Sequence, residues 1–165
     1  MISTAIAGLI NAQLNREYYS SYLYLSMAAY CSSQSFVGFE NWFRVQAQEE
    51  HDHALKFFDY LNSQQSRVQL AAISAPPVEF TSVLDAATQA LKHEQEVTKA
   101  IHAIYAQAEK ERDYATMNFL NWFITEQVEE EGTAQLLVDK LTMIGESKGS
   151  LLYLDKEAKK RTAES

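Results

Sequence analysis

Glu50 and His53 are three residues apart, a spacing that places an acid and an imidazole side by side on one face of a helix. Both can hold a metal ion, so the direction of that face decides what they do. Strides of three and four from Glu50 collect Phe39, Phe43, Gln46, His53, Phe57 and Tyr60, a stripe of the kind that faces a core. A carboxylate and an imidazole thus sit in the middle of an apolar face. An unpaired buried carboxylate is costly, so a balancing charge is required.

The same pattern recurs three times. One stripe runs Ile6, Ile10, Gln13, Glu17, Ser20, Tyr24, Met27, Cys31; another runs Leu84, Ala87, Leu91, Glu94, Thr98, Ile101, Tyr105, Ala108. The last runs Leu120, Phe123, Gln127, Glu130, Ala134, Leu137, Leu141, Ile144. Glu17 to Glu50 spans 33 positions and so does Glu94 to Gln127; adding 77 to 17, 50 and 53 gives 94, 127 and 130. The chain reads as two helical hairpins of equal pitch, each giving a lone acid and an i, i+3 pair.

These groups need long helices, and the composition allows them. In 165 residues there are five Gly and two Pro, the latter adjacent at Pro76-Pro77. The length suits one domain, residues 1–165, with a sizeable core. Helix one is expected from Ser3 or Thr4, good N-caps, to about Ser32, and helix two from about Phe36 to Asn62. The short break between them makes them antiparallel. About Ser63 to Thr81 reads as non-helical. At up to roughly 3.3 Å per residue it can span a helix of about 42 Å and set helix three parallel to helix two. Helix three is expected from near Ser82 to about Glu111, and helix four from an Asp113 cap to about Ile144, with Gly145 as C-cap. After Gly149, Leu151, Leu152 and Leu154 form a short apolar face before a polar tail, Lys156 to Ser165. That piece is too short to be stable alone and must pack on something, symmetry mates included.

The other features narrow the class. One Cys, Cys31, excludes an internal disulfide and a four-Cys metal site, and its stripe position suits a buried hydrophobe. No secretory signal and no apolar stretch of bilayer length are visible, which points to a soluble, cytoplasmic protein without a membrane partner. A formal charge of −8 argues against nucleic-acid binding and suits cation handling. Tyr18, Tyr19, Tyr22 and Tyr24 are more aromatic rings than one inner face needs, and either a subunit contact or ordinary packing would use them. His51, His93 and His102 miss the inner stripes, and Trp42 and Trp122 are assigned to packing.

In one bundle, Glu17, Glu50, His53, Glu94, Gln127 and Glu130 meet near mid-height. Two divalent cations would balance the four carboxylates, and oxygen-rich coordination with one imidazole suits iron or manganese better than structural zinc. A solvated polar layer that only fixes helix register is the alternative.

With Glu17, Glu94 and Glu50-x-x-His53 in place, the sequence resembles the ferritin-like di-iron carboxylate family, an all-α four-helix bundle with a long crossover and a short fifth helix. It departs at Gln127-x-x-Glu130, where a second Glu-x-x-His would stand, and in this it is similar to the bacterial non-haem ferritins. The resemblance implies an iron store with ferroxidase activity that uses dioxygen or hydrogen peroxide and carries no haem. It implies Glu17, Glu50 and His53 on a first iron, Glu94 and Glu130 on a second, Glu50 bridging, and Gln127 as a weaker or outer ligand. It further implies a third iron beside the pair on Glu49, Glu126 and Glu129 with Glu130 shared, although Glu126, Glu129 and Glu131 could equally form a solvated face. By the resemblance Tyr24 would support the site or donate an electron, with simple packing as the alternative, and the family forms hollow homo-oligomeric cages of 24 subunits. A discrete di-iron or di-manganese oxygenase or catalase would use the same carboxylates without storage. A DNA-protecting mini-ferritin would place its metals between subunits, and a rubrerythrin-like peroxidase would need Cys pairs this chain lacks.

Overall fold

In the structure, a computed structural model that describes residues 1–163, the Ser3 hydroxyl accepts a hydrogen bond from the Ile6 amide and opens α1, Thr4–Ser33. Three further helices follow: α2 Val37–Ser63, α3 Val83–Glu111 and α4 Tyr114–Ile144. Ser82 caps α3 and Asp113 caps α4 through their side-chain oxygens, each satisfying an amide that has no partner within its helix. Gly145 ends α4 at φ 55°, a conformation that costs glycine little. No strand occurs among the described residues.

The direction of α3 is fixed by the crossover. Asn11 donates to the Arg67 carbonyl, Asn15 to Ala72 and Ser26 to Pro77, so the segment climbs α1 from its first turns towards its end. There Phe80 packs its ring 5.4 Å from Tyr30. Since α2 runs antiparallel to α1, α3 starts at the same end of the bundle as α2 and lies parallel to it, as the loop length predicts.

The fifth helix, α5 Lys148–Ala158, begins before the position expected from Gly149, because the Ser147 hydroxyl caps it by accepting from the Ser150 amide at 3.3 Å. It also absorbs Lys156, which the sequence placed in the tail; Glu164 and Ser165 of that tail lie outside the described residues. Leu151 and Leu154 pack against the core of their own chain, while Leu152 and Tyr153 remain exposed. Docking uses a carboxylate as a clamp: Asp155 accepts from the Phe39 amide at 2.9 Å. The approach is so close that a Cβ on Gly38 would lie 1.5 Å from the Asp155 carbonyl oxygen, and only glycine fits.

The α1 and α2 stripes are buried at every position named from the sequence, and that of α4 at all but half-buried Ile144. The α3 stripe needs correction. Val83, Ala90, Val97 and Ile104 are buried, while Leu84, Leu91, Thr98 and Tyr105 are only half-buried. The inward face of α3 is thus lined by small Ala86, Ala87 and Ala90 with Val83, Val97 and Ile104, and larger Leu84, Leu91 and Tyr105 stand at its rim. Two apolar clusters result, one around Tyr24, Phe39, Phe43 and Leu141 and one around Ile10, Phe57, Ile101 and Phe123. Between them lies a buried polar layer.

Candidate metal centre

That layer contains Gln13, Glu17, Gln46, Glu50, His53, Glu94, Gln127 and Glu130, each no more than 5% exposed. Three sets of ligand atoms converge to within 4.8 Å: Glu17 with Glu50 and His53, Glu50 with Glu94 and Glu130, and His53 with Glu126 and Glu130. Glu50 belongs to both of the first two sets, so its carboxylate stands between two positions where a cation could sit.

Hydrogen bonds orient the acids but leave them unsatisfied. Gln13 donates to Glu17 at 2.7 Å, Gln46 to Glu130 at 2.8 Å, and the Tyr24 hydroxyl to Glu94. Gln127 donates to the Glu94 carboxylate at 3.1 Å and to the Thr98 hydroxyl at 3.2 Å. Its amide therefore positions Glu94 from beside the acids. One oxygen of Glu17 and both oxygens of Glu50 are buried without any hydrogen-bond partner. Orphaned buried carboxylate oxygens cost about 1–3 kcal/mol each or more when charged, and a cation is the partner their chemistry asks for.

The electrostatics follow from that crowding. Burial, and then the Glu94 charge, raises the Glu50 carboxyl well above the usual range; burial likewise raises Glu94. Glu130 is pushed up to about 8, by burial first and by Glu94 second. Burial alone would lower His53, but its contacts with Glu126 at 3.6 Å and Glu50 at 3.5 Å outweigh that and raise it to about 11. Without a metal, protons are the counter-ions of this layer.

A pH dependence follows. A group whose folded pKa is raised contributes stability that is complete below its unfolded pKa and is lost as pH rises through the folded one. For Glu130 that window runs from 4.5 to about 8, and for His53 from 6.5 to about 11, so the metal-free protein is expected to lose stability between pH 6 and pH 8. Divalent cations displace those protons, so zinc should raise Tm more at pH 8 than at pH 6. Calorimetry at both pH values checks this; equal gains would show that the layer does not exchange protons for metal.

The residues beside the layer divide. Glu126 is half-buried and its carboxyl is lowered by the His53 contact; Glu129 is exposed. Glu49 pairs at 2.8 Å with Arg161, a residue to which the sequence reading gave no role. Together with Glu130, Thr133 and that arginine they line a cleft of about 30 Å³. Glu131, one of the acids that could have formed a solvated face, accepts from Thr98 at 2.6 Å.

Trp122 and His93 also lie against buried side chains. Trp122 is 41% exposed, with its ring 5.4 Å from His53 and the Lys56 ammonium 4.4 Å from its centroid; it covers the imidazole instead of filling a core. His93, though off the stripe, is half-buried against Ser20 at 2.6 Å, and burial lowers it to about 4. Trp42 is buried as expected, His51 and His102 are exposed, and the buried Cys31 thiol is pushed up to about 12 by burial.

The comparisons agree with this architecture. Residues 7–144 match the ferritin-like domain family. The chain is 40% identical over 162 residues to the bacterial non-heme ferritin of Staphylococcus aureus, covering 98% of each, and equally to that of Staphylococcus epidermidis. A closed form of the Archaeoglobus fulgidus ferritin engineered by mutagenesis superposes with a TM-score of 0.98 at 48% identity, covering 99% of this chain and 100% of the other. The open pore ferritin of the same archaeon gives 0.97 at 49% identity, covering 98% and 100%. A four-helix bundle with a carboxylate and imidazole layer at mid-height, matched along its length by these proteins, belongs to the ferritin family.

Proposed function

We propose that this single-domain chain is a cytoplasmic iron store that oxidises ferrous ion at the mid-bundle layer and keeps the ferric product inside a hollow shell of identical subunits. The observation that carries the reading is Glu50: a carboxylate with both oxygens buried and without a hydrogen bond, placed between Glu17 with His53 on one side and Glu94 with Glu130 on the other. One ferrous ion is held by Glu17, Glu50 and His53, a second by Glu94, Glu130 and the bridging Glu50. Gln127 supports the second ion through Glu94. Two ferrous ions give up one electron each, and dioxygen takes both together with two protons to leave as hydrogen peroxide; peroxide itself can serve as the oxidant. Tyr24, whose hydroxyl donates to Glu94, keeps that acid aimed at its ion and is the nearby redox-capable side chain. A third iron is held at the cleft by Glu49, Glu126 and Glu129 with Glu130.

Exposed apolar side chains support assembly. Leu9, Tyr22 and Leu25 on α1, and Leu70, Ile73 and Val78 on the crossover, are each at least 37% exposed, a run of apolar surface that subunit contacts would cover. From the family resemblance we take that assembly to be a cage of 24 subunits.

The test adds ferrous ion in air to purified protein while ferric absorbance and particle size are recorded. Fast oxidation in a large particle that retains many irons per chain is the expected result. A small particle that stops once its paired positions are filled would overturn storage in favour of a discrete di-iron enzyme.

A further inference from the structure

Arg161 lies just beyond α5, yet its side chain is only 19% exposed. Contacts with Asn41, Trp42, Gln46 and Glu49 place it there. The Asn41 amide donates to the carbonyls of Ala158, Lys159 and Arg161, at 3.4, 3.3 and 3.0 Å, and so ties down the chain as it leaves α5. The guanidinium carbon then lies 4.4 Å over the Trp42 ring. Its Nη2 donates to the Gln46 amide oxygen and, at 2.8 Å, to the Glu49 carboxylate.

The cation therefore sits in the wall of the cleft lined by Glu49, Glu126, Glu129 and Glu130. Gln46 links it to the buried layer, since its oxygen accepts from Arg161 while its NH2 donates to Glu130 at 2.8 Å. The guanidinium already occupies a Glu49 oxygen at the wall of this cleft, so a cation that takes that oxygen must replace it.

We propose that Arg161 is a tethered competitor for the third cation: its guanidinium neutralises Glu49 while the cleft is empty, and a metal ion must displace it to bind there. The inference rests on the third-iron reading above. Arg161 is a positioning residue, and its contacts define how it acts. Occupied, it holds Glu49 away from metal and fixes the orientation of the Gln46 amide; displaced, it frees both. The third position is thereby set weaker than the paired ones, a useful order for an ion that must move on.

The test uses zinc, which is redox-inert, in crystals of the assembled protein soaked at graded concentrations, with occupancy read from anomalous scattering for wild type, Arg161→Gln and Arg161→Lys. Removing the charge should half-fill the third position at about tenfold lower zinc, the order expected when the ion no longer displaces a charge-assisted hydrogen bond. The paired positions should fill as in wild type, and Arg161→Lys should restore the weaker binding. Equal zinc requirements in wild type and Arg161→Gln would overturn the competition and leave the third-iron reading standing, and so would Arg161→Lys behaving like Arg161→Gln. Zinc absent from the cleft in all three proteins, with the paired positions filled, would overturn the third-iron reading and this inference together.

Discussion

Glu50→Ala is expected to slow aerobic ferric-ion formation by about 100-fold or more, because it removes the one carboxylate common to both paired positions. Loss of a group that merely supports a metal ligand already costs about 10–100-fold, and Glu50 would touch both ions. Stopped-flow absorbance at one to two irons per chain measures this, with Gln127→Ala alongside. Gln127 acts through Glu94 and should cost less. A loss below tenfold for Glu50→Ala would sink the paired site.

The companion variant Glu50→Gln separates function from folding. It keeps the volume and removes a carboxylate held far above its usual range by burial and by Glu94. The metal-free variant should therefore melt at a higher temperature than metal-free wild type, even though its oxidation is lost. On the proposed reading a bound metal balances that charge, the usual exchange of stability for activity at a functional site.

Much of this was legible because the chemistry and the fold share one period. A ligand placed in the middle of an apolar stripe must face the same interior as its neighbours, so Glu17, Glu50, His53 and Glu130 could be assigned by counting. Helix ends were legible for a similar reason, since Ser3, Ser82 and Asp113 cap within their own first turns. What depends on packing between elements was not. The face of α3 is turned towards Val83, Ala90, Val97 and Ile104, and periodicity alone did not separate that face from the neighbouring stripe of Leu84, Leu91 and Thr98. Trp122 breaks the repeat of 77, yet it covers His53, a contact made between α2 and α4. Arg161 stands in a polar tail, and only the docking of α5 on α2 carries it to Glu49. One sequence signal for that docking was available and unread: Gly38, inside α2, where glycine lowers helix stability and so needs a reason.

That reason gives the second large effect. Gly38→Ala should destabilise the protein by about 3 kcal/mol, the upper part of the range for overpacking, because the added Cβ meets a backbone carbonyl and not a flexible side chain. On propensity alone the change would stabilise α2 by up to about 1 kcal/mol, so the two accounts predict opposite signs. The least costly escape is for α5 to move off α2, which breaks the Asp155 clamp on the Phe39 amide and exposes Leu151 and Leu154. Hydrogen exchange should then show α5 amides losing protection while those of α1 through α4 keep theirs, and Tm should fall. Unchanged protection with a raised Tm would mean that α5 is not held in this close contact. Undocking also withdraws Arg161 from Glu49, so Gly38→Ala should tighten the third cation position in the manner of Arg161→Gln, although Gly38 lies inside α2 and Arg161 beyond the end of α5. That correspondence ties the close packing at Gly38 to the charge in the cleft: the fifth helix acts on metal binding only by carrying the guanidinium to its place.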